Sequence, residues 1–174
     1  LPLQRRLEAS GERGHGRFLK EENLPDLAKT TTSTRTAGEV PVQAGLFNYP
    51  LMDGERPALK GNRCTQCGKS FFPKRAICPV CFVSGPMEEI ELDSQGVIYA
   101  STVVRVSSPA GIKAPYAYGY VDLPANQLRV FALFTGADSG SFVPGKKVEV
   151  VLEPIGKDTE GNTVIGYKFK PAAG

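Results

Sequence analysis

A chain of 174 residues, 41% hydrophobic and 22% charged, has room for one packed domain and a small appendage. No apolar run approaches the roughly 18 residues a membrane span needs, and a formal charge of +3 is too small to mark a nucleic-acid binder by charge alone. Nineteen glycines and fourteen prolines point to many turns and short elements, hence to a mainly β protein.

Residues 1–50 read as an extended, partly helical arm. Their opening, LPLQRRLEASGERGHGRF, has no hydrophobic stretch of the signal-peptide kind, so a cytoplasmic protein is expected. Short helices are predicted near 3–9 and 18–22, followed by the polar, nearly low-complexity TTTSTRTAGE at 30–39. Taken alone, such a segment buries too little apolar surface to offset its ordering entropy. It is therefore expected to wrap a partner subunit or the surface of its own barrel, anchored through Val40-Pro41-Val42 and Leu46-Phe47. His15 stands alone between two glycines of the arm and reads as a solvated side chain, not a catalytic one.

Residues 51–87 contain every cysteine of the chain. In RCTQCGKSFFPKRAICPVC, Cys64 and Cys67 form one C-x2-C pair and Cys78 and Cys81 another, ten residues apart. A two-residue gap lets both sulfurs of a pair face one point, and two such knuckles supply a tetrahedral S4 shell. Gly68 follows the first pair, where the backbone must turn with positive φ. Pro79 can pre-set the second turn, but Phe82 stands where a second glycine is expected. Zinc is the favoured metal. Rubredoxin-like iron uses the same ligands with a longer gap, and two disulfides fit poorly with a chain lacking a secretory signal. With four protein ligands the ion would be structural, with no open position for activating water. Four thiolates and a divalent ion bring the net charge down to about +1. Phe71-Phe72-Pro73 is expected to cover the metal. Lys69, Lys74 and Arg75 form a local basic patch, with no acidic residue between 64 and 87.

Residues 88–174 read as a barrel. EEIELDS (88–94) either leads into the first strand or forms a short one of its own. Five β-branched and aromatic runs follow, at 96–108, 116–123, 128–136, 146–155 and 162–171, each ending at turn residues. Five strands over about 80 residues predict a small closed barrel, with the OB-fold as leading candidate. Tyr116, Tyr118 and Tyr120 share one face of a strand; barrel core or subunit interface is the expectation, with stacking on a base or on adenine if the face is open. Glu88, Glu89, Glu91 and Asp93 read as a solvated edge, and Asp122 as a turn residue. This half carries 8 basic and 10 acidic residues, the wrong balance for a nucleic-acid groove.

No GxSxG, P-loop or dinucleotide fingerprint occurs, and the thiols are taken by the metal, so the chain reads as a non-catalytic component. The phrase LKGNRCTQCGKSFFPKRAICPVC, followed by GYVDL and LRVFALFTG, resembles the zinc-ribbon plus OB-fold proteins that accompany acyl-CoA enzymes. The likeness covers roughly residues 50 to 170; the long arm departs from the short helical leader common in that family. The resemblance implies a rubredoxin-like ribbon and a five-stranded barrel in a subunit that assembles with a thiolase-fold enzyme. Aldolases of steroid side-chain breakdown and hotdog-fold hydratases are the alternative partners. Members include the small subunit of the (hydroxybenzyl)succinyl-CoA thiolase of anaerobic toluene degradation. It further implies a hetero-oligomer, two plus two if the partner is a dimer, and a role in shaping the acyl-CoA pocket. Lys69, Lys74 and Arg75 would then meet CoA phosphates or an acidic partner surface. A single-stranded nucleic-acid binder is the rival reading.

Overall fold

The structure is a computed structural model that describes residues 38–82, 87–109 and 111–173. His15 and the helices expected at 3–9 and 18–22 lie outside them. The described residues belong to one compact unit, Ser33–Gly174. Among the described residues nine strands run in chain order: β1 (Glu39–Pro41), β2 (Lys60–Cys64), β3 (Ser70–Phe71), β4 (Met87–Glu91), β5 (Gln95–Val104), β6 (Tyr116–Leu123), β7 (Leu128–Phe134), β8 (Lys147–Lys157) and β9 (Thr163–Pro171). Among the described residues no helix is long and apolar enough to cross a membrane.

The five runs expected to be strands are β5 to β9, and they close on themselves. β5 pairs with β6, β6 with β7, β7 with β9, β9 with β8, and β8 back with β5. All are antiparallel except β7 with β9. Closure removes the exposed edges that an open sheet would present. Side chains alternating inward, among them Ile98, Val121, Leu123, Val130, Val148, Val150 and Phe169, form the core. Phe142 stacks on Phe134 at 4.9 Å between centroids, joining the core after the 3-10 turn Ser139–Ser141. Gly119 is required by the tight wall: a Cβ there would run into the backbone carbonyl of Ala100. Gly96 is under a similar constraint, because a Cβ would lie 2.7 Å from the Asp122 carbonyl oxygen.

A second, three-stranded sheet has the order β3-β2-β4. EEIELDS thus supplies a separate short strand, and it pairs with Lys60–Cys64 instead of with the barrel. Both apolar anchors expected of the arm engage this chain's own barrel. β1 lies parallel to β9, with Glu39 opposite Thr163 and Pro41 opposite Ile165, and the Val42 N–H donates to the Ile165 carbonyl at 2.8 Å. Leu46 and Phe47 are buried in the same cluster as the barrel residues, together with Leu59 and Leu92 from either side of the ribbon sheet. Ribbon and barrel therefore share one core.

Candidate metal centre

The four cysteines converge. Their Sγ atoms all lie within 4.8 Å of one another, with Cys64 to Cys81 at 4.0 Å and Cys67 to Cys78 at 3.6 Å. No disulfide joins them. A tetrahedral shell with metal–sulfur bonds of about 2.3 Å has S···S edges of about 3.8 Å, and these two spacings bracket that value. Cys64 and Cys78 are fully buried, while Cys67 and Cys81 are half-buried. The donor set and its geometry fit a closed tetrahedral ion.

Local backbone bonding explains why the sulfurs meet. In the first knuckle the Gly68 N–H donates to the Cys64 carbonyl at 2.8 Å, and the Cys64 N–H donates to the Lys69 carbonyl at 2.9 Å. Gly68 has φ +71°, where glycine carries no Cβ penalty. The second knuckle repeats the turn, with the Phe82 N–H donating to the Cys78 carbonyl at 2.8 Å. Phe82 adopts φ +55° there, so it takes the left-handed conformation that glycine takes in its counterpart.

The thiols titrate unequally. Burial pushes the Cys78 thiol up, but the backbone N–H groups of Cys81 and Val80 and the Cys67 and Cys64 side chains outweigh it and bring it down to about 7. Hydrogen bonding to Cys67, then burial, pushes Cys81 up to about 12. A metal that takes all four as thiolates must displace protons, so its affinity falls as pH falls.

Around the centre, the basic residues divide. Lys74 reaches back to Glu89 of β4 at 2.7 Å, which holds the Glu89 carboxyl below the usual carboxylate range. Lys69 and Arg75 have exposed side chains. The Arg75 backbone is clamped by Asn62, whose Nδ2 donates to the Arg75 carbonyl at 2.7 Å and whose Oδ1 accepts from the Arg75 N–H at 3.1 Å. Asn62 is buried, and sequence reasoning missed it: an asparagine inside a strand carries no motif. Phe72 does not simply cover the metal. It packs against the shared core and meets Tyr167 of β9 edge-on at 5.7 Å, tying ribbon to barrel. Asp122 is not in a turn but on β6, in an ion pair with Arg129 of β7 at 2.6 Å.

A rubredoxin-like cysteine knob beside a closed five-stranded barrel defines a zinc-ribbon and OB-fold protein. The chain belongs to the ChsH2 family: the model of the ChsH2 rubredoxin-like zinc ribbon domain matches residues 53–86, and that of the ChsH2 C-terminal OB-fold domain matches 89–153. The resemblance read from the ribbon and strand phrases holds at the level of family. A benzoylsuccinyl-CoA thiolase subunit, BbsA, of Thauera aromatica is 40% identical over 118 residues, spanning 68% of this chain and 79% of that one. A DUF35 domain-containing scaffold protein of Methanothermobacter thermautotrophicus is 34% identical over 119 residues, spanning 67% and 89%. Among solved structures, the Ltp2-ChsH2(DUF35) aldolase matches with a TM-score of 0.54 at 23% identity, covering 67% of this chain and 86% of that chain. That likeness bears on the fold alone.

Proposed function

We propose that this chain is the zinc-binding, non-catalytic subunit of an acyl-CoA-processing complex whose catalytic partner has a thiolase fold. One observation carries the reading: the Thauera aromatica thiolase subunit is 40% identical over 118 residues, which span 79% of its own length. Cys64, Cys67, Cys78 and Cys81 hold a structural zinc ion, which organises the knob without taking part in bond making. Zinc-dependent folding supplies free energy that the two- to five-residue strands of the ribbon sheet could not find in their own contacts. The complex cleaves or transfers acyl groups by thiolysis, and this chain supports its assembly and its acyl-CoA pocket. Lys69 and Arg75, with Lys74 partly neutralised by Glu89, offer positive charge to CoA phosphates or to acidic partner residues. A two-plus-two assembly follows if the catalytic subunit is itself a dimer.

The test is co-purification of the affinity-tagged full chain from its own cells, followed by mass spectrometry and metal analysis. A stoichiometric thiolase-fold protein and about one zinc per chain are expected. A protein recovered alone, or one bound only to nucleic acid, would overturn the reading.

A further inference from the structure

The barrel wall has two unlike outer surfaces. On β8 and β9 charges alternate and pair, with Lys168 to Glu153 at 3.1 Å and Lys170 to Glu149 at 3.2 Å, as a wall facing water should. Strands β5, β6 and β7 together contain only two charged residues, Asp122 and Arg129. These neutralise each other through two hydrogen bonds of 2.6 and 3.0 Å, and the Arg129 guanidinium lies 3.1 Å from the centre of the Tyr99 ring.

The rest of that wall is aromatic. Ala117, Gly119, Val121 and Leu123 of β6 are buried, so the tyrosines between them point outward and are not barrel core. Tyr118 and Tyr120 flank Phe131 at 5.3 and 5.7 Å between centroids, and Tyr116 continues the row at 6.4 Å from Tyr118. Tyr99, Tyr120 and Phe131 are each about half exposed, at 54%, 48% and 48%. Contiguous rings held in water carry a solvation cost that no packing among the described residues relieves, unlike scattered single apolar residues. Beyond Phe131 the surface dips into a groove of about 270 Å³ lined by Val42, Leu46, Leu133, Ile155 and Tyr167. That is below the roughly 300–1,000 Å³ of small-molecule sites and suits an anchoring side chain.

We infer that the outer face of β5, β6 and β7 is the seat of the catalytic subunit, which lays an uncharged, apolar surface across Tyr118, Tyr120 and Phe131 and sets one aliphatic or aromatic side chain into the groove beside Phe131. The lack of unpaired charge on these strands argues for a protein surface, and the 40% identity to a thiolase subunit supplies which protein. A nucleic acid needs cations to neutralise its phosphates, and the single cation of these strands is already paired. The inference rests on the proposed function, because it takes the partner from that reading.

The experiment measures binding of the zinc-loaded full chain to the purified thiolase-fold subunit recovered with it. The double variant Tyr120→Ser/Phe131→Ser is compared with Glu149→Gln/Lys170→Gln on the charged wall. The aromatic variant is expected to bind about 100-fold more weakly, as loss of two buried hot-spot rings requires, while the charged-wall variant binds as wild type. Zinc content and circular dichroism report that both variants remain folded; if the serine variant unfolds, Phe131→Tyr/Tyr120→Gln replaces it with the same expected direction. Equal affinities for wild type and aromatic variant would overturn the inference and leave the proposed function standing. A wild-type chain that binds no thiolase-fold subunit would overturn both. Loss of self-association, or of binding to a single-stranded oligonucleotide, in place of partner binding would assign the face to a second copy or to nucleic acid and equally overturn it.

Discussion

Phe82 and Gly68 hold corresponding backbone positions in the two knuckles, at φ +55° and +71°. A residue with a Cβ loses about 1–2 kcal/mol in this conformation, and glycine gives back part of that by its freedom when unfolded. Phe82→Gly is therefore expected to stabilise the ribbon by up to about 1 kcal/mol, and Gly68→Val to destabilise it by about 1–2 kcal/mol. Chelator titration of zinc release checks both; a Gly68→Val protein that keeps its metal as well as wild type would contradict the turn geometry. Asn62 is expected to matter more than its type suggests. Asn62→Ala removes the side-chain partner of the Arg75 N–H and carbonyl, and because exposed Arg75 can turn to water a cost of about 0.5–1.5 kcal/mol in urea unfolding follows. At this scale the convergence of Cys64, Cys67, Cys78 and Cys81 was legible, because spacing alone dictates that two C-x2-C pairs can share one centre. Asn62 was not, because its role depends on which loop folds over β2. Nor was the left-handed Phe82, beyond the missing glycine that hinted at it.

Strands were easier to read than their partners. β-branched runs ending in Pro, Gly and Asn marked β5 to β9, since those side chains fit a pleated wall and those turn residues end it. The destination of 88–94 was open, because EEIELDS alternates Ile90 and Leu92 with polar residues in a way that serves either sheet, and only pairing with Lys60–Cys64 decides. The face of Tyr116, Tyr118 and Tyr120 was open for a related reason. In YAYGYVDL one alternating set carries three tyrosines and the other Ala, Gly, Val and Leu, so either could face a core; the second is inside, and the wall at Gly119 leaves no room for even a Cβ. The β8–β9 turn carries its own titration. Asp158 accepts from the Asn162 side chain at 2.9 Å and from the Asn162 and Glu160 N–H groups at 2.8 and 2.9 Å. Those bonds, the Asn162 side chain first, hold its carboxyl below the ordinary value. A depressed pKa means the contribution is present above the ordinary carboxylate range and is lost as pH falls through the folded-state value. The stability gap between wild type and Asp158→Ala should thus be constant from neutral pH to about 5 and narrow in more acid solution. A gap that does not change with pH would show that the turn is held by other groups.

On the scale of the molecule, ribbon and barrel were foreseen as neighbours, but their common core was not. Leu46 and Phe47 read as anchors of the arm, but no pattern in the sequence says that Leu59 and Leu92, from either side of the ribbon sheet, meet them in one cluster with the barrel. This predicts a graded response to metal loss. With zinc removed, or in Cys67→Ser, amides of β2, β3 and β4 should exchange hydrogen faster by orders of magnitude while those of β5 to β9 stay largely protected. Collapse of all protection together would mean that the ion organises the whole unit. The most direct measurement of the account is thiolysis of an acyl-CoA by the catalytic subunit alone and after addition of this zinc-loaded chain. Little turnover is expected from the catalytic subunit alone, with a gain of at least about tenfold on addition, equivalent to about 1.4 kcal/mol off the barrier. Full activity from the catalytic subunit without this chain, or activity from this chain by itself, would contradict it.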